Sequence, residues 1–408
     1  MSRLDELLLE LCPHGVPFLP LGEVCEIRSG WGFPNVEQGK KEGEFPFFKV
    51  GDMNNDGNEM FMYTANNYVN AETVKKLKCK PAPKETIIFP KIGAAIGTNK
   101  KRILVKESCY DNNVMGLIAH DQIVPRFLFY IMQSVDLMGF TDSAGAVPSI
   151  RKSALEGFII PVPPRAVQSE IVRILDNFTE LTAELTAELT ARKQQYDYYR
   201  EQLINGATGI SGKLIDLLSQ PITDGPHTTP KLVPEGIPFV SATAVWDGKV
   251  HFEKAQGFIT KEFDAECAKK YKPKRNDVFM VKSGSTTGKV AFVDTDEDFN
   301  IWSPLAAMRA DNEITARYIY HFLQTPSAQN MVLTRMSHGS QPNLSMRVLE
   351  QFDVKIPPIE EQERIVRLLD RFDVLCNDIS AGLPAEIEAR QKQYEYYRDK
   401  LLTFKELA

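Results

Sequence analysis

A tyrosine-rich dodecapeptide occurs twice in this chain, and the repeat limits what the rest can be. Residues 192–203 read RKQQYDYYREQL and residues 390–401 read RQKQYEYYRDKL. The match extends backwards in register: residues 168–178, QSEIVRILDNF, align with residues 362–372, QERIVRLLDRF, at an offset of 194. Gly145-Ala-Val-Pro148 and Gly339-Ser-Gln-Pro342 share that offset, whereas Tyr196 and Tyr394 lie 198 apart. The second helical region therefore carries four extra residues, about one turn. Farther upstream the correspondence thins to Pro46-Phe47 with Pro238-Phe239, Gly93 and Gly97 with Gly284 and Gly288, and Arg126 and Gln133 with Arg317 and Gln324. A long-period duplication of this kind gives two copies of one plan, variable domain then shared helix, and not a solenoid.

Taken in order, residues 1–18 contain a short amphipathic helix with Leu4, Leu7, Leu8 and Leu11 on one face. Residues 19–165 form a first mixed α/β domain of short β-rich runs interrupted by one helix from Pro125 to Met138. Residues 166–205 form a helical spacer. Within it Gln168 to Ile204 reads as one helix of 37 residues, about 55 Å long. Its seam is Ile171, Leu175, Phe178, Thr182, Leu185, Leu189, Arg192, Tyr196, Tyr199 and Leu203; eight of these ten are apolar or aromatic, as a coiled coil requires. Thr182-Ala-Glu-Leu185 and Thr186-Ala-Glu-Leu189 are tandem units, each adding about 6 Å and about 40° beyond a full turn. Residues 206–358 repeat the domain plan with a helix from about Ala316 to Met331, and residues 359–408 repeat the spacer. There Gly382-Leu-Pro384 is expected to interrupt the helix, and Ile379 continues the seam before it. The expected fold class is mixed α/β: two globular domains separated by two long antiparallel coiled-coil helices, related by an internal pseudo-twofold duplication.

The formal charge of −6 argues against a strongly basic nucleic-acid binder until it is partitioned. Residues 20–160 hold 17 Lys/Arg against 16 Asp/Glu and residues 213–356 hold 17 against 17, so the acidity lies mainly on the helices. Basic surface must then come from local clusters such as Lys100-Lys101-Arg102 or the run from Lys269 to Arg275. Six cysteines stand far apart without a CxxC pair, which predicts reduced thiols and no zinc site. The first residues have acids among their leucines and no long apolar run, so neither a signal peptide nor a membrane span is expected, and the address is cytoplasmic.

The duplicated helical segments and the TAEL tandem resemble the conserved regions of the DNA-specificity (S) subunit of type I restriction-modification systems, nearest the IC subfamily. The specific match covers about a fifth of the chain, in the two helical regions, and the architecture covers all of it. The resemblance implies two target-recognition domains that read the two parts of a split, asymmetric site in double-stranded DNA. It further implies helices that set the spacer, through TAEL copy number, and dock two modification (methyltransferase) subunits. Restriction/motor subunits would join the full complex, with S-adenosylmethionine and ATP/Mg held on partners and no cofactor, metal or catalytic residue in this chain.

Motif reading agrees with a non-enzyme. Ser283-Gly-Ser-Thr-Thr-Gly-Lys289 is one residue short of a P-loop and has Val290 where a magnesium-holding Ser or Thr belongs. Neither an Asn-Pro-Pro-Tyr methyltransferase motif nor a dinucleotide fingerprint occurs. Candidate DNA contacts fall in two kinds of loop. One is Lys91 to Arg102, with Lys91, Asn99, Lys100, Lys101 and Arg102, and its counterpart from Lys282 to Lys289, with Lys282, Ser285, Thr286 and Lys289. The other is the polar turn from Asp224 to Thr229, with His227 and Thr228. Arg151, Lys152, Gln341, Asn343 and Arg347 follow the matched glycine loops and suit base edges or phosphate. Each of these also reads as an ordinary turn or exposed charge. Tyr196, Tyr199, Arg200, Tyr394, Tyr397 and Arg398 are expected to line the rod or dock subunits. The competing functional class is a two-headed protein-binding scaffold without DNA specificity; a third, an autonomous nucleotide hydrolase, would require turnover that Lys289→Ala abolishes.

Overall fold

Ile87–Pro90 and Val278–Val281 are apolar at every position, and each becomes an interior strand with all four residues buried. A strand covered on both faces loses the alternation of a surface sheet. In the computed structural model, which describes residues 2–142, 147–337, 342–377 and 382–407, these strands belong to two units. The first unit is Met1–Ala183 with Ala389–Ala408, and the second is Glu184–Glu388.

In the first unit a five-stranded sheet runs in the order Cys25–Ser29, Val114–Ala119, Ile87–Pro90, Arg102–Leu104, Phe61–Met62. A smaller sheet centres on Phe45–Phe48, antiparallel to Tyr68–Val69 and parallel to Cys109–Tyr110. In the second unit the larger sheet runs Thr223–Asp224, Leu305–Met308, Val278–Val281, Val290–Phe292. Its smaller sheet centres on Ile237–Val240, antiparallel to Gly257–Ile259 and parallel to Asn300–Ile301. The matched Pro46-Phe47 and Pro238-Phe239 thus hold the same place in the same pairing pattern. Each unit also has an antiparallel two-stranded ribbon, Phe18–Pro20 with Ile159–Pro161 and Ile210–Lys213 with Asp353–Ile356. The duplication therefore reaches through the heads, where sequence identity has faded.

The helices depart from expectation where capping chemistry intervenes. The helix expected from Pro125 to Met138 stops at Gln133, and a 3₁₀ turn, Leu137–Phe140, restarts because the Asp136 carboxylate accepts from the Met138 amide at 3.0 Å. The helix expected from Ala316 to Met331 is two, Glu313–Leu323 and Pro326–Arg335. Thr325 caps the second by accepting from Ala328 N, and Pro326 at its first position has no amide to continue the preceding turn. The first spacer is one helix, Arg165–Asn205, of 41 residues. The second is interrupted, as Ile359–Asn377 and Leu383–Leu401, and Ile379 lies outside the described residues.

The long helix is not a uniform coiled-coil seam. Ile171 and Leu175 are fully buried in the core of the first unit, and Tyr196 and Ile204 in that of the second, whereas Thr182, Leu185 and Leu189 are half-buried and Arg192 is exposed. Burying each of those aliphatic side chains contributes about 1.5–3 kcal/mol to its own unit. Two aromatic contacts repeat: Phe178 stacks on Tyr397 at 5.5 Å in the first unit, and Phe372 stacks on Tyr199 at 6.0 Å in the second.

An ionic clamp also repeats. In the first unit Arg126 pairs with Asp176, which also accepts from the Tyr130 hydroxyl. In the second, Arg317 lies 3.3 Å from Asp370, and His321 Nε2 is 2.7 Å from the same carboxylate. His321 is fully buried, and burial pulls its pKa below the usual 6.5 despite Asp370. The folded second unit therefore resists a proton that the unfolded chain accepts, so its stability is full above about pH 6.5 and falls as the pH drops below it. Urea midpoints should decline from about pH 7.5 to about pH 5.5, and less steeply in His321→Tyr, which installs the residue used in the first unit. An equally steep decline in the variant would remove His321 from the account.

Candidate nucleic-acid interface

Each unit joins a glycine loop to a proline loop in the same way. In the first, the Gly93 amide donates to Pro148 O at 2.8 Å and the Ile150 amide to Lys91 O at 2.9 Å. In the second, the Gly284 amide donates to Pro342 O at 3.0 Å and the Leu344 amide to Lys282 O at 2.7 Å. Gly93 and Gly284 have φ of 80° and 103°, conformations that a Cβ strains, so glycine is required at the hinge of both loops. The sequence matches at Gly93 with Gly284 and at Pro148 with Pro342 are thus two sides of one contact. Gly145, Gly339 and Gln341 lie outside the described residues.

In the first unit this contact brings Lys91 beside Arg151 and Lys152. Lys91 Nζ is 3.2 Å from Ser29 Oγ; Arg151 is exposed, and Lys152 is exposed with Glu156 at 3.5 Å. One other expected contact, Lys101, is corrected, and two more, Asn99 and Arg102, have structural roles. Lys101 is only 1% exposed, and its ammonium donates to Asn99 Oδ1 at 2.8 Å and Val135 O at 2.6 Å. Burial pulls its pKa down to about 8. Asn99 sits at a left-handed φ of 53°, with its carbonyl accepting from Lys101 and from the Leu137 amide. Arg102 donates to Lys101 O and Met53 O, and burial lowers its pKa. Lys101 is thereby withdrawn from any ligand, whereas Asn99 and Arg102 are half-buried and help to hold the loop together. Lys100 is half-buried, its ammonium on Asn54 Oδ1.

In the second unit the buried carboxylate of Asp224 gathers the candidates. It pairs with Lys270, lies 3.3 Å from Lys282 Nζ and 3.3 Å from His227 Nε2. The polar turn and the glycine loop, distant in sequence, therefore meet at one ion cluster. Lys282 is buried in that role and is corrected from contact to scaffold, since its charge is spent on Asp224. His227, Thr228, Ser285, Asn343 and Arg347 are exposed, and Thr286 and Lys289 are half-buried. Lys289 Nζ lies 4.0 Å from the ring centroid of Trp246, which is 50% exposed and also has Lys254 at 5.5 Å. Sequence reading missed Trp246 because one aromatic in a Trp-Asp-Gly turn gives no periodic signal.

The expected docking set also changes. Tyr196 is 2% exposed and Arg200 5%, too little for either to form part of a protein docking surface, although Arg200 lines a cleft; its guanidinium lies 3.9 Å from the Tyr196 ring centroid. Tyr394 is packed against the first unit's core, and Arg398 pairs with Asp399 at 2.7 Å. Tyr199 and Tyr397 remain part-exposed on their phenylalanines. Their neighbours Tyr198 and Tyr396, off the seam, are 61% and 62% exposed and meet them edge-on. The Tyr-Tyr doublet was the signal for that second pair.

This fold, with one loop junction in each unit, defines a duplicated α/β protein carrying two candidate ligand-binding faces. The family model for the type I restriction modification DNA specificity domain matches residues 13–192 and 226–389, and the chain belongs to that family. It is 37% identical over 251 residues to the EcoR124I/EcoR124II specificity subunit of Escherichia coli, a stretch that covers 60% of this chain and 61% of that subunit. It is 31% identical over 314 residues to a type I restriction enzyme specificity subunit of Haemophilus influenzae, S.HindORF215P, covering 72% and 76% of the two chains. In fold it resembles the S subunit of a type I restriction-modification system from M. genitalium, with a TM-score of 0.52 at 14% identity over 95% of this chain and 96% of that one. Among the described residues no helix is long and apolar enough to cross a membrane.

Proposed function

We propose that this chain is the sequence-reading subunit of a type I restriction-modification complex, with residues 19–165 reading one half of a bipartite site in double-stranded DNA and residues 206–358 the other. The helical regions 166–205 and 359–408 set the spacer and dock two modification subunits, which supply methyl transfer with S-adenosylmethionine. Motor and nuclease subunits using ATP and magnesium complete the assembly in the cytoplasm. The observation that carries this reading is the repeated junction of glycine loop and proline loop, identical in backbone bonding and different in exposed side chains. A common frame fixes how the backbone approaches a duplex, while the variable side chains discriminate among bases. Arg151 and Lys152 occupy it in the first head; Asn343 and Arg347 occupy it in the second, beside His227 and Thr228. Both heads are close to neutral, so much of the phosphate neutralisation falls to partner subunits and isolated binding is weak and salt-sensitive.

Substituting one frame should alter one half of the motif. Arg347→Ala, co-expressed with the modification subunit, is expected to relax one position of a single half-site, at about 1–3 kcal/mol of discrimination, while the other half stays as in the wild type. Single-molecule sequencing of methylated host DNA reads both halves at once. Changes in both halves, or in neither, would contradict the assignment of one half-site to each head.

A further inference from the structure

The two units carry clefts at equivalent places with opposite charge. The cleft of the second unit, 560 Å³, lies against the Asp247-Gly248 turn and reaches Asn377; that of the first, 470 Å³, lies against Gly57 of the Asp56-Gly57 turn and reaches Ala183. Gly57 aligns with Gly248 at the offset of the heads, and Ala183 with Asn377 at the offset of the helices. The first cleft has Arg126 among the carboxylates of Glu59, Asp176 and Glu180. The second has Lys193, Arg200 and Lys289 against the single carboxylate of Asp247, which His251 engages at 2.6 Å.

Both clefts hold an arginine with a buried, unpaired Nε, so the contrast rests on the charges around it: Arg126 of the first cleft sits among three carboxylates, whereas the lining of the second offers only one to Arg200. Arg200 Nη1 donates to Asp197 at 3.0 Å and to Gln324 O at 3.1 Å, but its buried Nε has no acceptor among the described residues. A guanidinium donor withdrawn from water and left unpaired costs free energy unless a ligand supplies the acceptor. Neither Lys193 nor Lys289 has a carboxylate partner among the described residues; Lys289 rests on Trp246, whose half-exposed ring forms a flat wall. Ser285 and Thr286 add hydroxyls along the same side. This wall is rich in donors and cations, so it asks for a compact anion with several acceptor oxygens.

We propose that the second unit's cleft seats a phosphodiester of the DNA backbone, with an adjoining deoxyribose against Trp246, and that the first unit's cleft does not. The proposal rests on the reading of the chain as a DNA-reading subunit and deepens it. Arg200 then belongs to DNA positioning and not to subunit docking. A phosphate held there fixes the register of the second half-site and carries no base information.

The test uses the complex with the modification subunit, its motif duplex and an unrelated duplex, titrated between about 50 and 200 mM salt. Lys289→Ala and Lys193→Ala should each weaken both duplexes about five- to tenfold and lower the salt slope by about one, with the methylated motif unchanged. Arg200→Lys, which keeps charge but loses the planar donor, should weaken both duplexes as well; Glu180→Gln in the first cleft should leave binding as it was. Unchanged binding in both lysine variants would overturn the proposal, and so would a change in the methylated bases, which would make the cleft a base reader. Quenching of Trp246 fluorescence by a free 5′-mononucleotide, with DNA binding insensitive to the lysine variants, would assign the pocket to a soluble nucleotide. The unrelated duplex reads the cleft even when the wild-type complex shows no sequence preference, a result that would sink the reading function and leave the cleft standing.

Discussion

Inserting a third Thr-Ala-Glu-Leu unit after Leu189 lengthens the spacer between the two halves of the methylated motif and leaves both halves unchanged. The insertion falls inside one continuous helix, Arg165–Asn205, in a stretch where Thr182, Leu185 and Leu189 are only half-buried. Alanine, leucine and glutamate are good helix formers, so four more residues extend the helix without breaking it. They add about 6 Å and about 40° beyond one turn. A base pair adds about 3.4 Å and about a tenth of a turn, so the change is of the order of one to two base pairs in length. The loops that carry Arg151, Lys152, Asn343 and Arg347 belong to the heads and keep their own hydrogen bonds. The methylated bases of a strain carrying the insertion check this: a longer gap between intact halves is the expected outcome. An altered half-site would show that the helix does not act as a ruler.

Tyr196→Ala and Tyr198→Ala, two residues apart on one helix, should fail in different ways. Tyr196 is buried with its ring stacked 5.9 Å from Phe372 and its hydroxyl 3.4 Å from both His321 Nδ1 and Asp373 Oδ1. Removing that ring leaves a cavity and His321 Nδ1 without a partner, while Asp373 Oδ1 keeps Asn377, a loss of about 3–5 kcal/mol that lowers the urea midpoint of the second unit. Tyr198 is exposed, so Tyr198→Ala should change stability by less than about 0.5 kcal/mol. If the exposed tyrosine doublets form the docking surface, this variant and Tyr396→Ala lose affinity for the modification subunit in size-exclusion titration while unfolding normally. Undiminished complex formation by both would move the docking surface elsewhere, and a stable Tyr196→Ala protein would remove the helix end from the core.

Much of this organisation is legible before any coordinates, and the limits follow from physics. The shared helices are readable because an apolar stripe at helical spacing is local information, present twice. What the stripe meets is not local: Ile171 and Tyr196 sit on it and are buried in different cores, while Arg192 and Tyr199 sit on it and face solvent. The junction of the Gly93 and Pro148 loops is hidden for the same reason, since its hydrogen bonds join residues far apart in sequence. Only the parallel correspondence of Gly284 and Pro342 hints at it. Lys100-Lys101-Arg102 reads as a basic patch, yet Lys101, just ahead of the strand Arg102–Leu104, turns inward to Asn99 Oδ1 and Val135 O. Asp224 gives the opposite lesson: a carboxylate in a polar turn becomes the centre of a cluster because Lys270 and Lys282 arrive from elsewhere in the chain to join His227 of the same turn.

Whether one chain reads two half-sites is decided by the methylome of a host that expresses this chain with its modification subunit. A single asymmetric motif of two defined halves, separated by a gap of fixed length and unspecified sequence, is the expected result. A contiguous motif, or a stable complex that methylates no defined sequence, would contradict it and leave the heads as protein-binding modules.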